Sequence, residues 1–263
     1  MLKRVQVRRD RPTGLAWAVA LAVTMLVVYL ATLHAAGPDV VESVSAAPRV
    51  TREIEFAPLR GWCVSMARCA TPEEARLTAS GYTSRGAAGC AARLEGQWHV
   101  LGALYEKEKD AGRVAERLRK GEGIDARAVL MEAGGLRLRI TAAQPQIDAV
   151  AAADRLLREQ AAQLGQVALQ LDRGEIRPDG ARTLCAMAAT EAAEAGRALS
   201  AIPGAAESRL CAALAEQAAA LSNRMDAVAR SAEKEPAALS GMLRCAQIET
   251  FLAQRELLEG LGK

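Results

Sequence analysis

The chain has 263 residues, room for one or two modest domains, and only 3 % of them are aromatic. Alanine recurs throughout, and as the best helix former it predicts a largely helical mass. The net charge is +3, but Lys3, Arg4, Arg8, Arg9 and Arg11 against Asp10 place +4 at the N-terminus and leave about −1 for the rest; with no basic stripe of interleaved aromatics, this excludes nucleic-acid binding by the body of the chain.

Residues 1–13 read as a basic tail. From Gly14 to Leu33 the sequence GLAWAVALAVTMLVVYLATL carries no charge and would span roughly 30 Å as a helix, the thickness of a bilayer core. Trp17 and Tyr29 lie toward its ends, where amphipathic rings favour the interface. The expected assignment is a transmembrane anchor over 14–36 with the basic tail in the cytoplasm and all that follows outside. A cleaved signal peptide is the competing reading, since LHAAG offers small residues for cleavage; a buried soluble helix is the third. Residues 37–58, punctuated by Pro38, Pro48 and Pro58, read as a linker, with REIEF as a short extended lead-in.

A compact pattern then runs over 59–143. WCVSMARC alternates like a strand, with Trp62, Val64 and Met66 on one face and Cys63, Ser65 and Ala67 on the other. Thr71, Pro72, Glu73 and Glu74 supply an N-cap, a proline at N1 and first-turn acids. Ala75, Ala79 and Tyr82 give that helix a narrow packing face. CAARLEGQWHVLGALYE predicts a hairpin that turns at EGQ; Trp98 and Val100 face the core, and His99, Leu101 and Ala103 face away. A second helix over 107–120 follows, then a strand at ARAVLMEA. In LRLRIT, Leu136, Leu138 and Ile140 alternate with Arg137, Arg139 and Thr141, as in a half-buried edge strand.

The two halves echo each other: Trp62, Val64, Ala67, Ala75 and Ala79 recur in step as Trp98, Val100, Ala103, Ala111 and Ala115. Two β-α-β halves with one internal phrase predict a ferredoxin-like βαββαβ unit. Its two helices would cover one face of an antiparallel sheet and leave the other face open.

These residues resemble the SPOR domain, the sporulation-related repeat of bacterial envelope and division proteins. That family opens its first strand with an aromatic followed by Val-Gln-Val-Gly, a small residue and Phe; its third strand reads Tyr-Arg-Val, then Gly-Pro-Phe. Trp62, Val64, Met66 and Ala75 match the first phrase, and Trp98, Val100, Ala103, Tyr105 and Ala111 the second. The resemblance covers roughly residues 59–133, under a third of the chain. It implies binding of peptidoglycan glycan strands on the open sheet face in cell division or sporulation. The corresponding positions here are Ser65, Ala67, His99 and Leu101. Departures fall on that face: the family's Gln is Ser65, its Gly is Ala67, its Phe is Cys69, and the Arg after the aromatic is His99.

Residues 144–263 change to long helical periodicities. Ile147, Val150, Leu157, Leu164 and Leu171 mark one run; Leu184, Ala188, Ala192, Ala195 and Leu199 a second. Leu210, Leu214, Ala218, Leu221, Met225 and Val228 mark a third, and Leu239, Met242, Cys245, Ile248 and Leu252 a fourth. Narrow seams separated by short breaks predict a three- or four-helix bundle of antiparallel neighbours.

The six cysteines, Cys63, Cys69, Cys90, Cys185, Cys211 and Cys245, follow no metal or redox spacing. Cys185, Cys211 and Cys245 read as small buried hydrophobes, and a bridge from Cys63 or Cys69 to Cys90 stays open. The histidines are His34 and His99 alone, and no phosphate loop is present. No cofactor, metal or catalysis is expected. Taken together, the expected class is α+β: a transmembrane helix, a ferredoxin-like SPOR-type domain and an all-α helical bundle. The expected protein is a cell-membrane envelope protein binding peptidoglycan glycan strands. The alternative is a non-catalytic scaffold whose bundle forms a homo-oligomer or docks an envelope partner, glycan binding having been lost.

Overall fold

The computed structural model of the chain describes residues 48–83 and 85–262. The expected basic tail, anchor and most of the linker lie outside them, and among the described residues no helix is long and apolar enough to cross a membrane. The described chain is α+β, with twelve elements: β1 Arg49–Phe56, β2 Leu59–Cys69, α1 Pro72–Thr83, β3 Cys90–Leu94, β4 Gln97–Tyr105, α2 Glu108–Glu122, β5 Arg127–Ala133, β6 Leu136–Ala143, α3 Gln144–Asp172, α4 Pro178–Ser200, α5 Arg209–Ala229 and α6 Pro236–Leu261.

Local signals set the small unit as expected. Thr71 Oγ1 accepts the Glu74 amide at 3.2 Å, capping α1, and the Glu74 carboxylate accepts the amide of Ala70, one residue before the cap, at 2.9 Å. Glu95 and Gly96 both have positive φ, at 49° and 83°, which is the backbone of a tight two-residue hairpin between β3 and β4. Gly123 closes α2 in the left-handed region, its amide returning to the Leu118 carbonyl.

The four-stranded sheet has the order β3-β4-β2-β5, antiparallel throughout. This is the split βαβ order expected from the repeated phrase. Between Val64 and Ala67 the register of β2 on β4 slips at a β-bulge. A bulge inserts a residue and changes which face the following side chains meet. Ala67, expected beside Ser65, instead packs into the cluster of Val64, Met66, Cys69, Val100, Ala75, Ala79, Ala111 and Ala115 under α1 and α2.

Two expectations change around this unit. The linker expected to run to residue 58 contains a full strand. β1 pairs antiparallel with β6 from Arg49↔Ala143 to Phe56↔Leu136. The half-buried strand LRLRIT therefore lies in this separate two-stranded ribbon instead of at the edge of the main sheet. The alternation explains the choice: Ile54, Phe56, Leu136, Leu138 and Ile140 join the large apolar core, while Glu53 and Glu55 face Arg137 on the wet side.

The bundle has four helices, and the seams place Leu157, Leu164, Leu214, Leu221, Met225, Leu239 and Ile248 in its core. Leu184 departs from the expected seam and is 42 % exposed on α4, where Ala181, Cys185, Ala188 and Ala192 face inward instead. α6 is buried around most of its circumference because it lies between the bundle and the sheet. The face expected to stay open is thus covered.

Candidate functional site

The covered face is where the resemblance placed a ligand. Cys63 from β2 and Leu101 from β4 are fully enclosed in the apolar cluster that also contains Leu239, Leu243 and Ile248 of α6. Close approach is built into the backbone. A Cβ on Gly241 of α6 would lie 2.6 Å from the Ala87 carbonyl oxygen and 2.8 Å from that of Thr83, so only glycine lets the helix seat there. A Cβ on Gly61 of β2 would lie 2.8 Å from Leu104 Cδ1 of β4 and 3.3 Å from the Phe251 ring of α6.

Of the four expected site residues, the fold brings together Ser65 and His99. Ser65 Oγ lies 2.9 Å from His99 Nδ1 and donates to the Ala67 carbonyl at 3.3 Å. The direction of the Ser65–His99 hydrogen bond follows the imidazole tautomer: Nδ1 donates when it carries the proton and accepts when it does not. His99 is 5 % exposed, and its burial, with Arg127 and Arg68 nearby, holds its pKa below the ordinary value despite Glu95. The pair is a satisfied polar contact inside an apolar interface. Leu101 is sealed beneath α6 and Ala67 is on the other side of the sheet, so the four residues form no solvent-facing surface.

A second grouping joins residues far apart in sequence. Cys90 of β3, Cys245 and Glu249 of α6 bring two thiol sulfurs and a carboxylate oxygen within 4.8 Å of one another. The Cys90 thiol is pushed strongly up by its hydrogen bond with Cys245 and by burial, with the Glu249 charge adding to it. Glu249 is held from its other side by Arg224 of α5, at 2.6 Å. All six thiols are free; Cys185 and Cys211 are the buried small hydrophobes expected, and burial pushes Cys185 up to about 11. The sequence reading missed this grouping because β3 and α6 are remote. The one legible trace was the i,i+4 spacing of Cys245 and Glu249, which puts both on one face of a helix.

A cleft of about 480 Å³ opens where the ends of β2 and β4 meet α3 and α6. Arg60, Lys107, Arg158, Arg244 and Gln254 line it with Phe251. Arg158 is paired with Asp154 at 2.9 Å and Arg244 with Asp172, so two of its cations are already neutralised. Gln254 Nε2 has no hydrogen-bond partner among the described residues.

No family model, no curated protein and no solved structure matches the chain. What can be said of its function therefore rests on its own residues.

Proposed function

We propose that the protein is a single-pass, non-catalytic scaffold of the bacterial envelope, in which a SPOR-like sheet has given up its glycan-facing side to hold a helical bundle. The observation that carries this reading is the placement of α6 across Cys63, Leu101 and Gly61. A glycan-binding surface needs exposed planar donors and stacking rings. Here the equivalent positions are buried, and the imidazole and hydroxyl satisfy each other. The uncharged run from Gly14 to Leu33 supports the anchor and the extracytoplasmic placement of the rest.

The bundle supports the docking side of the proposal. Leu184 and Met187 of α4 are large, apolar and exposed beside a groove of about 260 Å³ between α3 and α4. Isolated exposed apolar residues are ordinary, but a pair beside a groove suits a helix or a second copy of the chain. Co-sedimentation of the detergent-solubilised chain with purified peptidoglycan, intact and amidase-treated, tests the reading. Neither preparation should retain it, and retention on the amidase-treated material would restore the glycan-binding reading. Light scattering, with Leu184→Asp and Met187→Asp as variants, tests the docking surface. A self-association or partner complex that both variants leave intact would remove the α4 face from the proposal.

A further inference from the structure

We propose that Cys90, Cys245 and Glu249 form a zinc site that staples α6 onto the four-stranded sheet. The inference goes beyond the scaffold reading and stands whether or not peptidoglycan binds. Two thiolates and a carboxylate are a donor set that zinc takes readily. With Zn–S and Zn–O bonds near 2.3 and 2.1 Å, tetrahedral donors lie about 3.5–3.8 Å apart. The donor atoms already converge within 4.8 Å, so side-chain adjustments of about an ångström complete the set.

The surroundings fit as well as the donors. Cys90 is fixed at the start of β3, opposite Leu101 of β4, while Cys245 and Glu249 lie one helical turn apart on α6. Glu249 is oriented from behind by Arg224, the kind of outer partner that positions a ligating carboxylate. Charge closes too. Two thiolates and one carboxylate are offset by a divalent cation and the Arg224 guanidinium, so a partly buried site carries no net charge.

On binding, two S–H bonds break and two S–Zn bonds form; both protons leave to solvent, and Glu249 coordinates through a carboxylate oxygen. Three protein ligands leave the fourth position to water, which can arrive because Cys245 and Glu249 are only partly buried. Affinity therefore falls as pH falls, since protons compete for the sulfurs.

The test uses the detergent-solubilised full chain, reduced with a phosphine, loaded with zinc and titrated with a chromogenic chelator. The wild-type chain should hold one zinc per chain, and cobalt in its place should show thiolate charge-transfer absorption. Arg224→Ala should weaken zinc by about 10–100-fold, the usual cost of losing an outer-shell partner. Glu249→Gln should weaken it as well, and Cys245→Ser should remove more affinity than either. Glu249→Gln and Arg224→Ala alter half-exposed groups, so their far-ultraviolet circular dichroism should match the wild type and keep the result independent of folding. Failure of the reduced wild-type chain to bind zinc tightly would overturn the proposal. So would binding that survives Cys245→Ser. Peptide mapping that finds Cys90 and Cys245 joined as a disulfide in the chain isolated from its membrane would replace the metal staple with a covalent one.

Discussion

The two faces of the four-stranded sheet are both dry, but they are dried by different parts of the chain. On one face, α1 and α2 lie close because Ala75, Ala79, Ala111 and Ala115 put almost nothing between helix and strand. Those helices connect strands of the same sheet, so covering this face closes only short loops. On the other face α6 arrives from the far end of the chain, with Leu239, Leu243, Ile248 and Phe251 joining Cys63, Leu101 and Met131 in one cluster. Ordering that helix closes a long loop, an added entropic cost that grows only slowly with length. Small side chains bury little area, so the alanine face depends on the strands' own Val64, Met66 and Val100. The α6 face depends on large side chains from both partners. The difference teaches that the sheet's sequence pattern describes one of its faces, and the partner at the other face is set by the chain's far end.

The sharpest break of this comparison is a matched pair of truncations on β4. Leu101 and Val100 are adjacent and both fully buried, but they face opposite sides. Leu101→Ala should destabilise the chain by about 2–5 kcal/mol in urea unfolding, as a cavity opens under α6. Val100→Ala removes two methyl groups and should cost about 1.5 kcal/mol. If Leu101→Ala proved the cheaper of the two, the α6 face would not be a packed interface. A pair of glycines gives the next test. Gly241→Ala on α6 would drive a Cβ into two carbonyl oxygens that cannot rotate away, and should cost about 1–3 kcal/mol although alanine favours the helix. Gly112→Ala on α2 meets nothing within 4 Å and should instead stabilise by about 0.5–1 kcal/mol. Two glycines of opposite sign in thermal or chemical unfolding would separate a seated helix from a free one.

The asymmetry also explains what could be read from residues alone. The strand order, both small helices and the four-helix bundle followed from local signals: caps, alternation and seams that report on the next few residues. Tight backbone contact does not advertise itself in that way. Gly241 reads as a weak spot in a helix until the Ala87 and Thr83 carbonyls are seen above it. The bulge that moves Ala67 across the sheet arises from an extra residue against β4, and no period in WCVSMARC marks it. β1 was hidden because its partner β6 lies at the far end of the small domain, and a strand with no neighbouring partner looks, in sequence, like the end of a linker. The pairing of Cys90 with Cys245 and Glu249 was invisible for the same reason as the covered face: it exists only once α6 is in place.

The smallest expected effect is the response of the buried His99 to pH. His99 would titrate near 6.5 on an open sheet. In the fold, burial and the charges of Arg127 and Arg68 hold its folded pKa below that value. The unfolded chain therefore takes up a proton at higher pH than the folded chain does. Stability from this group is fully present above about 6.5 and is lost as pH falls through that value toward the lower folded pKa. Glu191, whose burial raises its pKa, works in the opposite direction as pH falls, so the slope of the wild-type chain alone is ambiguous. The difference between the wild type and His99→Asn removes that ambiguity, because Glu191 is common to both. Urea unfolding at stepped pH from 8 to 5 should show the wild type losing stability relative to His99→Asn as acid is added. Ser65→Ala, which deprives His99 Nδ1 of its hydrogen-bond partner, should keep the sign of that slope and lower stability at every pH. A difference curve flat across the range would mean that His99 is solvated in the folded chain and that the Ser65–His99 contact does not persist in solution.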